Sequence, residues 1–378
     1  MALSIDDLLR RAVEQKASDL HLKVGNHPYL RVDGTLAPIT DVPRITPEEM
    51  LSMAFSMMTN RQKQKFKESA ELDMAYGVAG LGRFRVNVFQ QRGNVGMVLR
   101  VIPTKIRTSE ELNLPPVINK ICEEQRGLVL VTGTTGSGKS TTLAAMIDRV
   151  NATRSDHLIT IEDPIEFLHR DKRSFINQRE VEVDTANFST ALRAALRQDP
   201  DVILVGEMRD LETISTALLA AETGHLVFST LHTNDAAGAI SRLLEMGVQD
   251  YLLSSSLLGV LAQRLVRRLC TNCRKEISFA GFDGNEPELT LQRMETVWDA
   301  AGCDRCSGTG YLGRVGIFEL LPVTSEVCKV IVQRADAGMI RSLAVQQGMH
   351  LLREDGWDKV RQGVTTVAEV LRVTREEA

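Results

Sequence analysis

Hydrophobic and polar positions in the first hundred residues change their spacing several times, which predicts a mixture of helices and short strands. Apolar residues recur at helical spacing over 5–13 and again over 47–67, so each segment is predicted to be a helix with one buried face. The alternation typical of half-buried strands is found at 29–32, 83–89 and 97–102. The first of these strands is followed by Asp33 and Gly34, a pair that predicts a hairpin turn. The pattern indicates an α+β domain over 1–102.

A different pattern begins after a proline-containing segment. Residues 103–116 include three prolines, which continue neither a helix nor a strand ladder, so an interdomain linker is expected there. Short, continuously apolar runs then alternate with helix-like segments, at 128–131, 158–161, 202–205 and 226–228. Such runs are typical of strands buried on both faces of a parallel sheet. The sequence therefore predicts an α/β domain over 117–378.

Composition and charge exclude several classes of protein. The 378 residues carry a formal net charge of −4 and only 4% aromatics, so no broad basic or stacking surface for nucleic acid is expected. The N-terminus is acidic and lacks the apolar run of a signal peptide. The most apolar stretch, 251–266, is interrupted by Gln263 and Arg264 and is too short to span a membrane. We expect a cytoplasmic protein that reaches a membrane only through a partner or a surface.

A phosphate-binding loop is predicted at 133–140. The sequence GTTGSGKS matches the G-x-x-x-x-G-K-S/T pattern and lies between a predicted strand and a helix predicted over 141–150. Glycines allow backbone N–H groups to converge on phosphate oxygens; Lys139 is expected to bridge the outer phosphates and Ser140 to hold Mg²⁺. A glycine-rich turn without a ligand is the alternative. The residues expected to bind ATP are Gly133, Thr134, Thr135, Gly136, Ser137, Gly138, Lys139, Ser140 and Thr141.

Two carboxylates follow predicted strands and are candidates for the chemistry. Glu162 comes directly after 158–161, and Glu207 follows 202–205 after one glycine. Ligands of open α/β sheets bind outside the carboxyl ends of the strands, where both side chains are expected. Glu162 would polarise the attacking water, and Glu207 would organise Mg²⁺ and that water. The alternative for either residue is a structural role, as a helix cap or as an ion-pair partner of Arg209.

Two histidines flank the predicted strand at 226–228. His232 follows its carboxyl end, whereas His225 precedes it. A single histidine is more often structural than catalytic. Because both flank a strand expected beside the acidic one, we predict that they sense the γ-phosphate, with a more indirect geometry for His225.

Four of the six cysteines form two Cys-x-x-Cys pairs, the usual arrangement of a structural Zn²⁺ site with four thiolates. They are Cys270, Cys273, Cys303 and Cys306. An acidic, glycine-containing excursion at 280–300 lies between the pairs, so a metal-binding subdomain is expected over 268–310. An iron–sulfur cluster and redox disulfides are the alternatives. Cys122 and Cys328 are predicted to be buried apolar residues.

Together these motifs resemble the type II/IV secretion ATPase superfamily, and within it the hexameric motors of type IV pili. The resemblance extends over essentially the whole chain. Besides the phosphate loop, it is carried by ASDLHL at 17–22, GRFRVN at 82–87, TIEDPIE at 160–166, VGEMRD at 205–210 and TLHTN at 230–234.

The resemblance implies a RecA-like C-terminal domain, a PAS-like N-terminal domain and a nucleotide near their junction in a ring of six subunits. The catalytic base candidate, the second acidic residue and the two residues of the histidine motif that it implies are Glu162, Glu207, His225 and His232. It also implies that Arg85 and Arg100 reach the γ-phosphate from the N-terminal domain. Both arginines lie on predicted strands, on the face opposite the apolar residues; a solvated strand face is the alternative.

Different parts of the chain resemble different branches of this superfamily. The beginning of the chain and 17–22 resemble the pilus retraction branch, whereas the four cysteines and the segment 348–374 resemble the assembly and type II secretion branch. The additional N-terminal docking domain usual in that second branch is expected to be missing. Assembly, retraction and secretion all remain open.

The expected function is that of a hexameric ATPase that works at the cytoplasmic side of the inner membrane, on a platform protein of a pilus or secretion machine. A DNA-translocating RecA-like ring and an ATP-binding regulator without turnover are the alternatives. Intact Lys139, Ser140, Glu162 and Glu207 weigh against the regulator.

Overall fold

The computed structural model describes residues 4–32, 35–102, 105–278 and 296–374. The chain divides into two compact units, one made of Met1–Ile106 and Pro164–Leu168, the other of Arg107–Asp163 and His169–Ala378. The turn predicted at Asp33 and Gly34 lies outside the described residues. So do Pro103 and most of the excursion predicted at 280–300.

The first unit contains an antiparallel sheet and helices packed on it, as the α+β pattern predicts. Its strands are β1 (Asp19–Lys23), β2 (Tyr29–Val32), β3 (Thr35–Pro38), β4 (Glu71–Val78), β5 (Gly82–Gln91) and β6 (Asn94–Ile102). They lie in the order β3-β2-β1-β6-β5-β4. Its helices are α1 (Ile5–Glu14), α2 (Pro47–Met57) and α3 (Asn60–Ser69). Apolar side chains from the helices and from one side of the strands form a common core.

The single helix predicted over 47–67 is wrong, because the structure has two helices there. Met58 and Thr59 are extended, and Thr59 is the N-cap of α3. The Thr59 hydroxyl accepts a hydrogen bond from the Gln62 N–H at 3.3 Å, and the Gln62 side chain accepts one from the Thr59 N–H at 2.9 Å. This reciprocal capping satisfies the first N–H groups of a new helix. Apolar residues keep their helical spacing across Met58 and Thr59, so the hydrophobic pattern alone does not indicate that one helix ends there and another begins.

The second unit contains a sheet in the order β15-β12-β7-β11-β10-β8-β9 and a separate two-stranded antiparallel sheet of β13 and β14. The strands are β7 (Gly127–Thr132), β8 (His157–Glu162), β9 (Phe175–Glu180), β10 (Val202–Val205), β11 (Leu226–Leu231), β12 (Leu257–Leu269), β13 (Lys275–Ser278), β14 (Thr296–Asp299) and β15 (Tyr311–Pro322). Neighbouring strands from β12 to β9 are parallel, which confirms the predicted parallel sheet. The edge strand β15 is antiparallel to β12, which the sequence did not predict.

Helices cover both faces of this sheet. They are α4 (Val117–Ile121), α5 (Lys139–Thr153), α6 (Phe188–Ala195), α7 (Leu211–Glu222), α8 (Ala236–Glu245), α9 (Asp250–Ser256), α10 (Ser325–Val332), α11 (Ala337–Gln346), α12 (Leu352–Arg361) and α13 (Val367–Thr374). Alternate residues of β7 belong to different cores: Leu128 and Leu130 pack with α6 to α8, and Val129 and Val131 pack with α4 and α5. The strand is thereby fixed from both sides.

Within the described ranges, none of the helices combines the length and the apolar character that a membrane crossing requires.

Candidate functional site

The loop at 133–140, called the phosphate loop below, joins β7 to α5. The helix begins at Lys139, two residues before the predicted start. Gly136 and Gly138 have φ of 78° and 92°, in the left-handed region that favours glycine. Gly138 directly precedes the first helical residue, so the loop lies at a helix N-terminus, where N–H groups have no partner within the helix. This is a favourable place for an anion.

Two further observations fit a phosphate at this loop. The Lys139 ammonium donates to the carbonyls of Gly133 and Thr134, at 2.8 and 3.2 Å, so the loop wraps around its own lysine. The Ser137 hydroxyl is buried and has no hydrogen-bond partner in the part of the chain that the structure describes. A buried hydroxyl without a partner is costly, and a bound phosphate oxygen would supply one.

The strand order β7-β11-β10-β8 brings the predicted chemical groups to one edge of the sheet. Glu162 is the last residue of β8, Glu207 lies two residues beyond β10, and His232 directly follows β11. The phosphate loop follows β7. Because these strands are parallel, their carboxyl ends meet, and the prediction that these groups share an edge is confirmed.

Hydrogen bonds between the segments that follow the strands hold this edge together. Gly206 donates from its N–H to the carbonyl of Ile161 at 2.8 Å, and the Thr230 hydroxyl donates to the carbonyl of Gly206 at 2.7 Å. On the other side of β11, Thr233 donates from its N–H to the Thr132 hydroxyl at 3.0 Å. The acidic and histidine segments are therefore positioned relative to the start of the phosphate loop.

The Glu162 carboxylate is oriented by two side chains. Its Oε1 accepts from the Thr160 hydroxyl at 2.7 Å and from the Gln178 amide at 3.1 Å. Sequence reasoning missed Gln178, which lies on β9 directly opposite Thr160. The polar residues of β9 are a weak signal that this strand carries a functional side chain.

Glu207 takes part in the ion pair that was considered as its structural alternative. Its carboxylate lies 2.6 Å from an Arg209 nitrogen, and its second oxygen lies 3.7 Å from Nε2 of His232. The Glu207 side chain is 16% exposed, whereas Arg209 is 75% exposed. The ion pair leaves Glu207 at the common edge and beside His232, so it does not exclude a role in phosphate chemistry.

His225 is not brought to this edge within the second unit. It lies before the amino end of β11, where its Nδ1 is 2.8 Å from the carbonyl oxygen of Ala220. It lies on the other side of the six-residue strand from His232, seven residues away, which corresponds to about 23 Å at about 3.3 Å per residue. Its placement gives no support for direct contact with a phosphate bound at the loop of the same chain.

Arg85 and Arg100 lie directly opposite each other on β5 and β6, on the exposed face of the first sheet, as expected. Cross-strand pairs of like charge are unfavourable. Asp19 on β1 compensates this pair, because Arg100 Nε donates to its carboxylate at 2.9 Å. Burial alone would raise the pKa of Asp19, but hydrogen bonds from Ser18 and Arg100 outweigh it and lower this pKa.

The four-cysteine cluster, made of the two Cys-x-x-Cys pairs, brings all four sulfurs within 4.8 Å of one another. The Sγ–Sγ distances are 3.9 Å for Cys270 and Cys303, and 3.7 Å for Cys306 with either Cys273 or Cys303. A tetrahedral Zn²⁺ with four thiolates places sulfurs about 3.8 Å apart, whereas a disulfide needs about 2.05 Å. The geometry therefore fits four ligands of one ion better than it fits disulfides.

The turns that carry the two Cys-x-x-Cys pairs depend on close backbone contacts. Cys270 follows the end of β12, and a 3-10 turn runs over Asp304–Cys306. A Cβ on Gly302, which has φ of 94°, would lie 2.5 Å from the Gly308 carbonyl oxygen. The Cys303 N–H donates to the Cys306 sulfur at 3.2 Å, as N–H groups do towards metal-bound thiolates.

The two remaining cysteines differ. Cys122 is buried, as predicted, and burial raises the pKa of its thiol to about 12. Cys328 is only half-buried, so the prediction for it is wrong; its thiol donates to the carbonyl of Ser254 at 3.2 Å. It lies on α10, one turn from an exposed end of that helix.

Sequence reasoning also missed Gln263. In the sequence it is one of the polar residues that interrupt the apolar stretch at 251–266, whereas in the structure Leu257–Leu269 form β12, the neighbour of β7. Gln263 is 3% exposed, and its side-chain amide bonds to the phosphate loop and to α5. An amide within an apolar run is the available signal, because buried polar groups require partners.

The whole chain is similar to proteins of known secretion and pilus systems. A family model described as type II/IV secretion system protein matches residues 1–372. The type IV pilus retraction ATPase PilT of Pseudomonas aeruginosa is 50% identical over 273 residues, 71% of this chain and 79% of that protein. The type II secretion system protein HxcR of the same organism is 40% identical over 384 positions, 98% of this chain and 77% of its own length.

Solved structures agree with these matches. A crystal structure of the pilus retraction motor PilT with bound ADP has a TM-score of 0.83 and 39% identity, and covers 99% of this chain and 98% of its own. The ATPase DotB of Legionella pneumophila has a TM-score of 0.76 and 26% identity, with 98% and 94% covered. The resemblance drawn from the motifs is confirmed.

Proposed function

The chain belongs to the type II/IV secretion system protein family, and from this premise we propose that it is an ATPase that powers a type IV pilus or a type II secretion machine. The observation that carries the proposal is the common edge of the second sheet. There the phosphate loop, Glu162, Glu207 and His232 follow four neighbouring parallel strands. Relatives named as pilus and secretion ATPases, and the ADP in a similar structure, support adenine nucleotide as the ligand.

The triphosphate would bind in the phosphate loop. Lys139 would exchange the carbonyls of Gly133 and Thr134 for phosphate oxygens, a stronger charge-assisted contact. The Ser140 hydroxyl would hold Mg²⁺, and Glu207 would organise it through water. When bound, Mg²⁺ neutralises charge on the outer phosphates.

Hydrolysis requires a base for the attacking water. We assign this role to Glu162, whose carboxylate is already oriented by Thr160 and Gln178. The water oxygen bonds to the γ-phosphorus, the bond from that phosphorus to the β-phosphate oxygen breaks, and the water proton passes to the carboxylate. The products are ADP and phosphate. We propose that His232, which lies 3.7 Å from Glu207, responds to the loss of the γ-phosphate; a role for His225 would be indirect.

The remaining organisation is proposed from the resemblance. The PAS-like N-terminal domain would comprise 1–102, the linker 103–116 and the RecA-like ATPase domain 117–378, with the metal-binding subdomain at 268–310. We further propose a cytoplasmic homohexamer, bound to an inner-membrane platform protein. Because the relatives include both pilus and secretion proteins, we propose only the motor activity that these machines share.

The proposed activity is tested by phosphate release from ATP by the purified chain. We expect turnover with Mg²⁺, none with a chelator, and no stimulation by DNA. Nucleotide binding without turnover would favour the regulator instead, and salt-sensitive stimulation by DNA would favour the translocase. Deletion of the gene then identifies the machine: bald cells indicate pilus assembly, hyperpiliated non-twitching cells indicate retraction, and lost export with normal pili indicates secretion.

Arg85 and Arg100 are proposed to add positive charge to the γ-phosphate. Their support is the exposed pairing of like charges on one sheet face, where a phosphate would add a second anion to the Asp19 carboxylate that already bonds to Arg100. Arg85→Ala is expected to lower kcat roughly tenfold, because one charge is lost while Arg100 remains. The measurement is steady-state hydrolysis, with Arg92→Ala as the control on an exposed turn. An unchanged kcat for Arg85→Ala would favour the alternative, in which the two arginines only belong to a solvated strand face.

The four-cysteine cluster is proposed to hold one structural Zn²⁺ per chain. Native mass spectrometry is expected to find one zinc in the wild type and none in Cys303→Ser, whose melting temperature should fall because the cluster anchors the end of β12. Cys328→Ser, which changes a cysteine outside the cluster, should keep the metal. Iron in place of zinc, or a metal-free protein with reactive thiols, would contradict the assignment.

A further inference from the structure

We propose that Gln263 is a positioning residue for the phosphate loop. Its side-chain amide fixes the orientation of the peptide between Ser137 and Gly138, so that the N–H of Gly138 is available to a phosphate oxygen. The inference rests on the proposed function, since it gives Gln263 a part in binding the nucleotide. It concerns a residue on β12, outside the loop, the two acidic segments and the histidine segment.

The contacts of the Gln263 amide join three elements. Strand β12 runs parallel to β7, with Ala262 opposite Thr132, so Gln263 lies beside the start of the loop. Its Nε2 donates to the Ser137 carbonyl at 2.7 Å, and its Oε1 accepts from the Thr142 hydroxyl at 2.7 Å. Thr142, in the first turn of α5, is 1% exposed. Both bonds are short and shielded from water, which makes them costly to lose.

The chemistry of these partners leaves a single orientation of the amide. A backbone carbonyl oxygen only accepts, so the NH₂ group of Gln263 must face Ser137. The amide oxygen then faces Thr142, whose hydroxyl can donate. A side chain with the same length but without both a donor and an acceptor cannot join these two partners.

The bond to Ser137 determines where the next N–H points. In a planar trans peptide the C=O and the following N–H point in opposite directions. Since the Ser137 carbonyl points to Gln263 on β12, the Gly138 N–H points away from β12. Gly138 directly precedes α5 and lies next to Lys139, where loop N–H groups bind phosphate oxygens. If this peptide rotated, a carbonyl dipole would face the phosphate instead.

Two glycines show how closely β12 approaches the loop. A Cβ on Gly138 would lie 2.7 Å from Gln263 Nε2, and one on Gly133 would lie 2.4 Å from the Gln263 carbonyl oxygen. Both glycines also have positive φ, 92° and 150°. Gly133 and Gly138 are therefore required by the close approach of Gln263 as well as by the approach of a ligand, and this part of the loop packs closely against β12.

The test is the affinity of the full chain for ADP, measured by calorimetry well below the melting temperature. Gln263→Met keeps the length of the side chain and removes both hydrogen bonds, and we expect its Kd for ADP to rise about tenfold. Gln333→Met, the same substitution at an exposed glutamine at the end of α10, should bind ADP like the wild type. If the wild-type chain bound no ADP, the proposed function itself would be contradicted, and not only the role of Gln263.

Thr142 supplies a second, independent test that does not depend on whether Gln263→Met folds. Thr142→Val loses the hydroxyl that orients the amide and is expected to raise the Kd about fivefold, whereas Thr142→Ser keeps the hydroxyl and should restore binding. A residue with only a structural role would change the melting temperature of the nucleotide-free protein and leave the Kd for ADP unchanged. ADP binding by Gln263→Met within twofold of the wild type, or equal binding by the two Thr142 variants, would overturn the inference.

Discussion

Lys139→Ala is expected to abolish ATP hydrolysis and to leave the fold intact. The lysine ammonium donates to the carbonyls of Gly133 and Thr134, both in its own loop, and Lys139 is the first residue of α5 rather than a member of the apolar core. With the nucleotide bound, the same ammonium would bridge the outer phosphates, where charge increases as the γ-phosphoryl group is transferred. Its loss should therefore act on the reaction and far less on stability.

Phosphate release measured beside circular dichroism checks this prediction. Lys329→Ala on α10, an exposed lysine away from the loop, is the matched control and should retain wild-type turnover. If Lys139→Ala kept activity within a few-fold of the wild type, the loop would not be the phosphate site. A nucleotide would then have to bind elsewhere in the chain.

Glu162→Gln is expected to lower kcat by about a thousandfold, in the range for loss of a general base. Glutamine has the shape of glutamate, and its carbonyl oxygen still accepts from Thr160, so the edge of the sheet should keep its geometry. ATP binding should persist because Glu162 is assigned to the water and not to the phosphate loop. The variant should thus bind ATP with an affinity close to that of the wild type and turn it over very slowly.

Single-turnover kinetics with labelled ATP separates binding from chemistry in this variant. Glu245→Gln at the exposed end of α8 is the control. Glu207→Gln completes the comparison, since it should impair both Mg²⁺-dependent binding and turnover. Normal turnover in Glu162→Gln together with complete loss in Glu207→Gln would transfer the role of base to Glu207.

The edge of the second sheet could be predicted from the sequence because its signals are local. Each relevant strand is a short apolar run, and the polar residue that follows it lies within four positions of the run. Since parallel strands place their carboxyl ends together, Glu162, Glu207 and His232 could be assigned to one edge without knowledge of the strand order. The observed order β7-β11-β10-β8 then shows which of them are neighbours.

The side chains that orient this edge could not be predicted, because they depend on pairing between distant segments. Gln178 reaches Glu162 only through the register of β9 against β8. Gln263 is 121 residues from Thr142, to which it bonds. Neither the position of β12 beside β7 nor the antiparallel β15 has a local sequence signal. Gln178 and Gln263 are both polar residues on strands to which the sequence pattern assigns no functional residue, and both side chains reach the candidate site.

Three further differences between the sequence-based predictions and the structure concern a helix start, a histidine motif and an ion pair. The apolar spacing over 47–67 suits one long helix, but the capping pair of Thr59 and Gln62 starts a second one. The motif that contains His225 and His232 is continuous in sequence, yet a strand separates the two side chains. The partner of Arg100 is Asp19, within the motif at 17–22, so that motif also has a structural part in the first sheet.

A structure determined with Mg²⁺ and a non-hydrolysable ATP analogue tests the central claim most directly. The account predicts the phosphates in the loop at 133–140, with Lys139 Nζ moved from the Gly133 carbonyl to a phosphate oxygen and Mg²⁺ bound to the Ser140 hydroxyl. Glu162 and Glu207 should face the γ-phosphate from the ends of their strands. Phosphates bound away from this edge, with Lys139 still bonded to Gly133, would contradict it.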